Sequence, residues 1–409
     1  MVSDNVATEV CRKYLRLHLC DGIGAVRFGA LLREFGDIDR VLGASVREMA
    51  RVRSISDRIA ERVARERGEV DVDREIDLAG SRGVRIVCMA DADYPAPLRM
   101  MDDPPPCLYY RGTLQREDAV SMAVVGSRQC SRYGAEQADR FGSLLAGAGL
   151  TVVSGMARGI DSAAHRGALS AGGRTLAVIG CGLSYLYPPE ATELAERIAA
   201  SGAILSELPM SVAPDSKNFP PRNRIIAGLS LGVLVVEAAR RSGALISAKL
   251  ACEYNREVFA IPGRIDVASA DGCNELIKSG AAKLVMKLED IMHELGPTGE
   301  LLMSGSAASK HPIDNQTTTA ESSTLFNSTA DESIATRSGA PVQNLPRPGV
   351  SLTTQEKHTL ELLATGSMPI ETLCDVSDLP PAQVAAALTS LQLKGLIRRK
   401  AGDDFERIG

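Results

Sequence analysis

The chain has 409 residues, 44% of them hydrophobic and 24% charged, and a formal net charge of −5. At roughly 100–200 residues per domain, that length predicts two to four domains with enough apolar material for a buried core. The acidic balance excludes a globally basic nucleic-acid binder, so any affinity for phosphate must come from a local patch.

In chain order, residues 1–68 predict a small helical module. Gly22-Ile23-Gly24 separates two helical patterns, in a tight turn that glycine enters easily. A weaker second hairpin, Ser54-Ile55-Ser56-Asp57, lacks glycine. The pair suggests a helix-hairpin-helix (SAM-like) unit, which either holds a DNA phosphate on backbone N–H groups or serves packing or partner contacts. Residues 69–295 predict the central domain. A charged helix over Val70–Arg82 precedes a strand over Val84–Met89. A proline-rich lead-in through Pro104-Pro105-Pro106 to Gly112 follows, and proline excludes a regular helix or central strand there. From Met122 to Gly263, six short apolar runs end in glycine, serine or glutamate: Val124-Val125-Gly126, Val152-Val153-Ser154, Leu176–Gly180, Ile204–Glu207, Leu234–Glu237 and Val258–Gly263. Helical segments separate them, so they predict βαβ units around a parallel sheet covered on both faces. Residues 296–349 are rich in Ser, Thr, Asn and Pro and predict a disordered linker. Residues 350–409 predict three helices and a β-hairpin, a winged helix.

In an open parallel sheet, ligands bind beyond the carboxyl ends of the strands. Gly126, Ser127, Arg128, Ser154, Gly155, Gly180 and Gly182 are therefore expected on one rim. Lys217, Phe219, Arg222, Asn223 and Arg224 place three cations around one aromatic ring. Guanidinium plus a stacking ring suits single-stranded nucleic acid, although the alternative of a core ring with arginines paired to Glu207 and Glu237 stays open. Ser242, Gly243 and Lys249 repeat the theme at a helix start. Val212 to Arg264 contains eight Lys/Arg against four Asp/Glu, whereas the last sixty residues contain six against eight. Asp161 and His165 share a helix face, either as an acid/base pair or as a helix cap and a satisfied core histidine; the latter is favoured because no nucleophile accompanies them.

Several chemistries are excluded by motif. No Gly-x-Gly-x-x-Gly follows a strand, and there is no Gly-x-x-x-x-Gly-Lys-[Ser/Thr], so neither a dinucleotide cofactor nor P-loop ATP hydrolysis is expected. The nine cysteines form no Cys-x-x-Cys and no zinc-spaced Cys/His cluster, which predicts reduced cysteines in a cytoplasmic protein without a metal. No apolar run reaches the roughly 20 residues of a membrane helix, and no signal-peptide pattern opens the chain.

The central motifs resemble those of the DNA-processing protein A family (DprA, also called Smf). The resemblance rests on Val124–Arg128, Ser154-Gly155-x-Ala157-x-Gly159-Ile160-Asp161, Phe219-Pro220-x-Arg222-Asn223-Arg224-Ile225-Ile226-Ala227-Gly228-Leu229-Ser230 and Ala260–Gly263. It implies an extended Rossmann-like fold, binding of single-stranded DNA, protection of incoming strands during natural transformation and help in loading RecA. It also implies a homodimer and no catalysis. A competing class, nucleotide phosphoribohydrolases of the lysine-decarboxylase-like type, carries Pro-Gly-Gly-x-Gly-Thr-x-x-Glu, which this chain lacks. On the sequence alone, Arg128→Ala, or Arg222→Ala with Arg224→Ala, is expected to weaken strand binding and leave the fold intact.

Overall fold

The computed structural model describes residues 7–307 and parts of 354–407, in two compact units divided near residue 315. The first unit begins with two helical hairpins. Helices Glu9–His18 and Ala25–Phe35 flank the expected glycine turn, where Gly22 takes φ 86°. Val46–Met49 and Asp57–Glu69 flank the second turn, where Ser54 takes φ 80° in place of a glycine. Leu15, Phe28, Leu31, Met49 and Val63 form the module's core, which continues into Tyr109 and Met210 of the sheet domain. Module and sheet thus share one hydrophobic interior. The charged helix runs Val72–Ser81, starting two residues later and ending one residue earlier than expected.

The sheet contains β1 (Val84–Cys88), β2 (Cys107–Gly112), β3 (Ser121–Val125), β4 (Thr151–Ser154), β5 (Thr175–Val178), β6 (Ala203–Ser206), β7 (Gly232–Val235), β8 (Glu257–Ala260) and β9 (Lys283–Leu284). Their order is β1-β2-β6-β5-β4-β3-β7-β8-β9. All neighbours from β6 to β9 are parallel; β1–β2 and β2–β6 are antiparallel. The six apolar runs are β3 to β8, and β3, β4, β5, β6 and β7 are buried at every position. The proline-rich lead-in does more than pack on an edge: once past Pro106 the chain pairs on both sides as β2, and β1 becomes the edge. Helices Phe219–Leu229 and Ala244–Glu253 cover one face through Ile225, Ile226, Leu229 and Ala248. Helices Arg132–Gly147 and Ile160–Ser170 cover the other through Phe141, Leu145, Ile160 and Ala164.

The stretch read as linker starts with order. Helix Pro297–Ala307 occupies its first turns, and Leu302 packs against the sheet core. Residues 308–349 lie outside the described residues. In the second unit, helix Thr354–Leu362 precedes a small sheet of β10 (Met368–Pro369), β11 (Ile397–Arg399) and β12 (Asp404–Arg407), ordered β10-β12-β11. β11 and β12 are the expected hairpin; β10 adds a third strand. Val384, Leu388 and Leu391, at helical spacing, are buried with Leu363, Leu373, Ile397 and Phe405. The rest of the two later helices falls on residues outside the description.

Candidate functional site

The chain leaves β3 toward β4, β5 and β6 on one side and returns through β7 on the other. The crevice between the carboxyl ends of β3 and β7 is therefore the topological switch point, where open α/β sheets hold ligands. A cleft of about 460 Å³ lies there.

Glu237, just past β7, anchors the segment that borders the cleft. Its backbone carbonyl accepts the Ser127 N–H at 2.7 Å. Its buried carboxylate accepts the Ser131 N–H at 3.0 Å and the Ser131 hydroxyl, and Ser131 in turn caps helix Arg132–Gly147. The segment Gly126–Ser131 is thus tied at both ends to the neighbouring strand. Two glycines permit this. A side chain at Gly126 would strike Ile160 and the Glu237 carbonyl. Gly159, at φ 78°, lies against the carbonyls of Ser127 and Arg128 where no Cβ fits, and the Ile160 N–H donates to Ser127 O at 3.2 Å.

Helix Phe219–Leu229 supplies the opposite wall. Pro220 and Pro221 stand in its first turn, where their missing N–H groups cost no helical bond. Phe219, Arg222, Asn223 and Ile226 line the cleft, at the i, i+3, i+4, i+7 spacing of one helix face. Phe219 is half-buried. The exposed Arg128 guanidinium rests over its ring at 4.6 Å, Arg222 lies 5.8 Å from it, and Tyr187 leans on it at a centroid distance of 5.7 Å. Asn223 Nδ2 donates to Gly243 O at 3.4 Å, which ties this wall to the start of helix Ala244–Glu253. Ser242 and Gly243 line the cleft there, with the positive end of that ten-residue helix beside it.

Arg222 is 5% exposed, donates to the Val178 carbonyl and fits only because Gly155 has no side chain to meet it. Its Nε has no hydrogen-bond partner among the described residues. Burial above all, and then the repulsion of Arg128, brings its pKa down to about 10, so it stays cationic at neutral pH; Asp161 opposes both. Asp161 lines the cleft, accepts the Ala157 N–H at 3.3 Å, and is held above the usual carboxylate range by burial against the pull of Arg222. His165 is fully buried, with Nδ1 2.6 Å from Thr175 Oγ1, and burial drives its pKa down to about 3. The histidine is therefore a neutral core residue, and the acid/base reading of the pair has no geometric support.

The structure brings together Gly126, Ser127, Arg128, Phe219, Arg222, Asn223, Ser242 and Gly243. Seven expected residues, Gly180 and Gly182 among them, do not line the cleft. Arg224 is two positions from Arg222, so the helix turns it by about 200° to another face. It is 8% exposed, ion-paired to Glu207 and to Asp103, whose backbone carbonyl it also meets at 2.7 Å. Ser154 is wholly buried and donates to Val124 O at 2.6 Å. Lys217 and Lys249 are exposed and paired with Asp215 and Glu253, outside the cleft lining. Gly155 acts from below, as the gap that seats Arg222. Sequence reasoning did not single out Tyr187, Gln129 or Ile246. Only Tyr187 carried a signal, an aromatic in the loop after β5 followed by two prolines.

A family profile described as DNA recombination-mediator protein A matches residues 85–296, and one described as DprA winged helix domain matches residues 343–403. The chain is 33% identical to Protein Smf of Synechocystis sp. over 390 residues, 94% of this chain and 96% of that protein. It is 46% identical over 204 residues to DNA processing protein DprA of Streptococcus pneumoniae, covering 50% of this chain and 72% of the relative. The X-ray structure of DNA processing protein A from the same species aligns with a TM-score of 0.61 at 36% identity, covering 69% of this chain and 97% of that one.

Proposed function

The chain belongs to the DNA recombination-mediator protein A family, and on that premise we propose that its switch-point cleft binds single-stranded DNA without chemically altering it. The observation that carries this reading is the pairing of Phe219 with Arg128 beside the buried Arg222. A half-exposed ring offers its face only to a base that has left the duplex stack, and a cleft of about 460 Å³ suits one nucleotide. An incoming base displaces the Arg128 guanidinium from the ring, freeing it to meet the adjacent phosphate. A cation–π contact of about 0.5–1 kcal/mol is exchanged for stacking worth about 1–3 kcal/mol and a charge-assisted hydrogen bond. Ser127 and the start of helix Ala244–Glu253 at Gly243 supply further polar contacts to the backbone.

The wider roles proposed are protection of incoming strands in natural transformation, help in loading RecA, and assembly as a homodimer. The C-terminal winged helix, with its acidic local balance, is proposed to contact protein rather than DNA. The phosphoribohydrolase alternative is not favoured: the ionisable groups lining the cleft are one carboxylate, Asp161, and two arginines, Arg128 and Arg222, with no second carboxylate among the described residues to activate water.

The test is fluorescence anisotropy with labelled oligothymidylate across a salt series. Affinity should fall with a log–log slope of about −0.7 for each phosphate contact, and Arg128→Ala should lower both affinity and slope while the circular dichroism spectrum stays native. Salt-independent binding, or undiminished binding by a folded Arg128→Ala protein, rejects the assignment.

A further inference from the structure

We propose that Cys11, Cys88 and Asp91, joined by Cys107, form a thiolate-rich site for one soft divalent cation of the zinc class. Three separate segments deliver these groups. Cys11 sits in the first helix of the helical module, Cys88 ends β1, Asp91 is in the turn that follows, and Cys107 opens β2. The sulfurs of Cys11 and Cys88 and a carboxylate oxygen of Asp91 all lie within 4.8 Å of one another. Cys107 is directly opposite Cys88 in the antiparallel register of β1 and β2, and all three cysteines are 0% exposed.

Small apolar packing accounts for three buried thiols but not for a carboxylate turned in among them. Asp91 is held in place: Oδ1 accepts the Thr8 hydroxyl at 2.7 Å and Oδ2 accepts the Cys88 N–H at 2.8 Å. Outer hydrogen bonds of this kind orient the ligands of metal sites. Two sulfurs and one oxygen are already gathered, and Cys107, paired with Cys88 across the strands, would supply the third sulfur of a four-coordinate zinc site; thiolate selects such an ion over magnesium or calcium. Binding would release the thiol protons to solvent and fasten the helical module to β1 and β2. None of the four residues lines the cleft, so the inference does not depend on the DNA-binding reading.

The experiment uses the full chain, stripped with chelator under a thiol-free reductant and titrated anaerobically with cobalt(II), then with zinc. One equivalent of cobalt should produce a sulfur-to-metal charge-transfer band, which zinc abolishes. Asp91→Asn, on a partly exposed turn, should weaken cobalt binding by about 10- to 100-fold, and Cys88→Ser by at least as much. Cys252→Ser, at an exposed cysteine outside the cluster, should leave the band unchanged. Absence of the band in folded wild-type protein overturns the proposal. So does a band indifferent to both Asp91→Asn and Cys88→Ser, or a Cys88–Cys107 disulfide found by non-reducing peptide mapping.

Discussion

Phe219 shows how a single side chain's surroundings set its expected behaviour. Its ring is covered by an arginine and a tilted tyrosine rather than by aliphatic core, so under the proposed function truncation should remove a stacking face more than a packing element. Phe219→Ala should reduce oligothymidylate affinity by about 1–3 kcal/mol, a factor of roughly 5–150, with little change in melting temperature; an unaltered dissociation constant rejects the stacking role. The buried histidines make a different prediction. His165 and His18 have folded pKa values pushed down by burial to about 3 and about 4, from 6.5. Between those limits the unfolded chain binds more protons than the folded one, so stability rises with pH across the window and is lost as pH falls through it. Each histidine contributes up to about 1.4 kcal/mol per pH unit. Asp161 and Glu207, whose carboxyls burial holds above their usual range, act in the opposite sense and make the net slope shallower. Urea midpoints should fall from pH 7 to pH 5, and His18→Gln should flatten the trend; a flat wild-type profile counts against the buried neutral histidines.

At the scale of the element, helix Phe219–Leu229 sorts its arginines into different tasks. Arg222 faces the cleft, whereas Arg224 faces Glu207 and Asp103 and is 8% exposed. Replacing Arg224 with Ala strands a buried carboxylate, so it should cost about 3–5 kcal/mol in stability. Chemical denaturation would read that loss, and DNA affinity measured on the still-folded fraction should be nearly unchanged. The double replacement of Arg222 and Arg224, expected from sequence to spare the fold, is now predicted to destabilise it. The difference was not legible in the residues: drawn as a loop the two cations converge, and only the helix, started by two prolines, separates them. Strands were easier to read because β3 to β8 each centre on a short apolar run that stops at small or polar residues, a pattern that needs no tertiary information. Glu237 shows the opposite case. Its role depends on Ser127 and Ser131, more than a hundred residues away, and on Gly134, whose missing side chain makes room for the carboxylate. Glu237→Gln should cost about 1–3 kcal/mol and loosen the segment that presents Arg128.

At the scale of the whole molecule, charge arithmetic along the sequence proves coarser than charge in space. The excess of cations between Val212 and Arg264 is partly spent internally: Arg222 and Arg224 are buried, while Arg240 and Arg264 meet Asp271 and Asp266 from just beyond that window. The exposed pairs are worth only about 0–1 kcal/mol each and yield readily to phosphate; the buried ones do not. Truncation should respect helix Pro297–Ala307, whose Leu302 joins the sheet core and whose Gly299 lies against the Met292 carbonyl. A chain ending after residue 307 should keep most single-strand affinity, whereas one ending at residue 295 should unfold at lower temperature; a large affinity loss in the longer, well-folded form would implicate the C-terminal unit in DNA contact. Parking Arg128 over Phe219 carries a last consequence for the crowded life of the protein. A vacant molecule shows its neighbours a hydrated cation instead of a bare greasy ring. Copies waiting for a strand should therefore stay dispersed, and removing that one guanidinium should make them stickier toward each other even where no DNA is present.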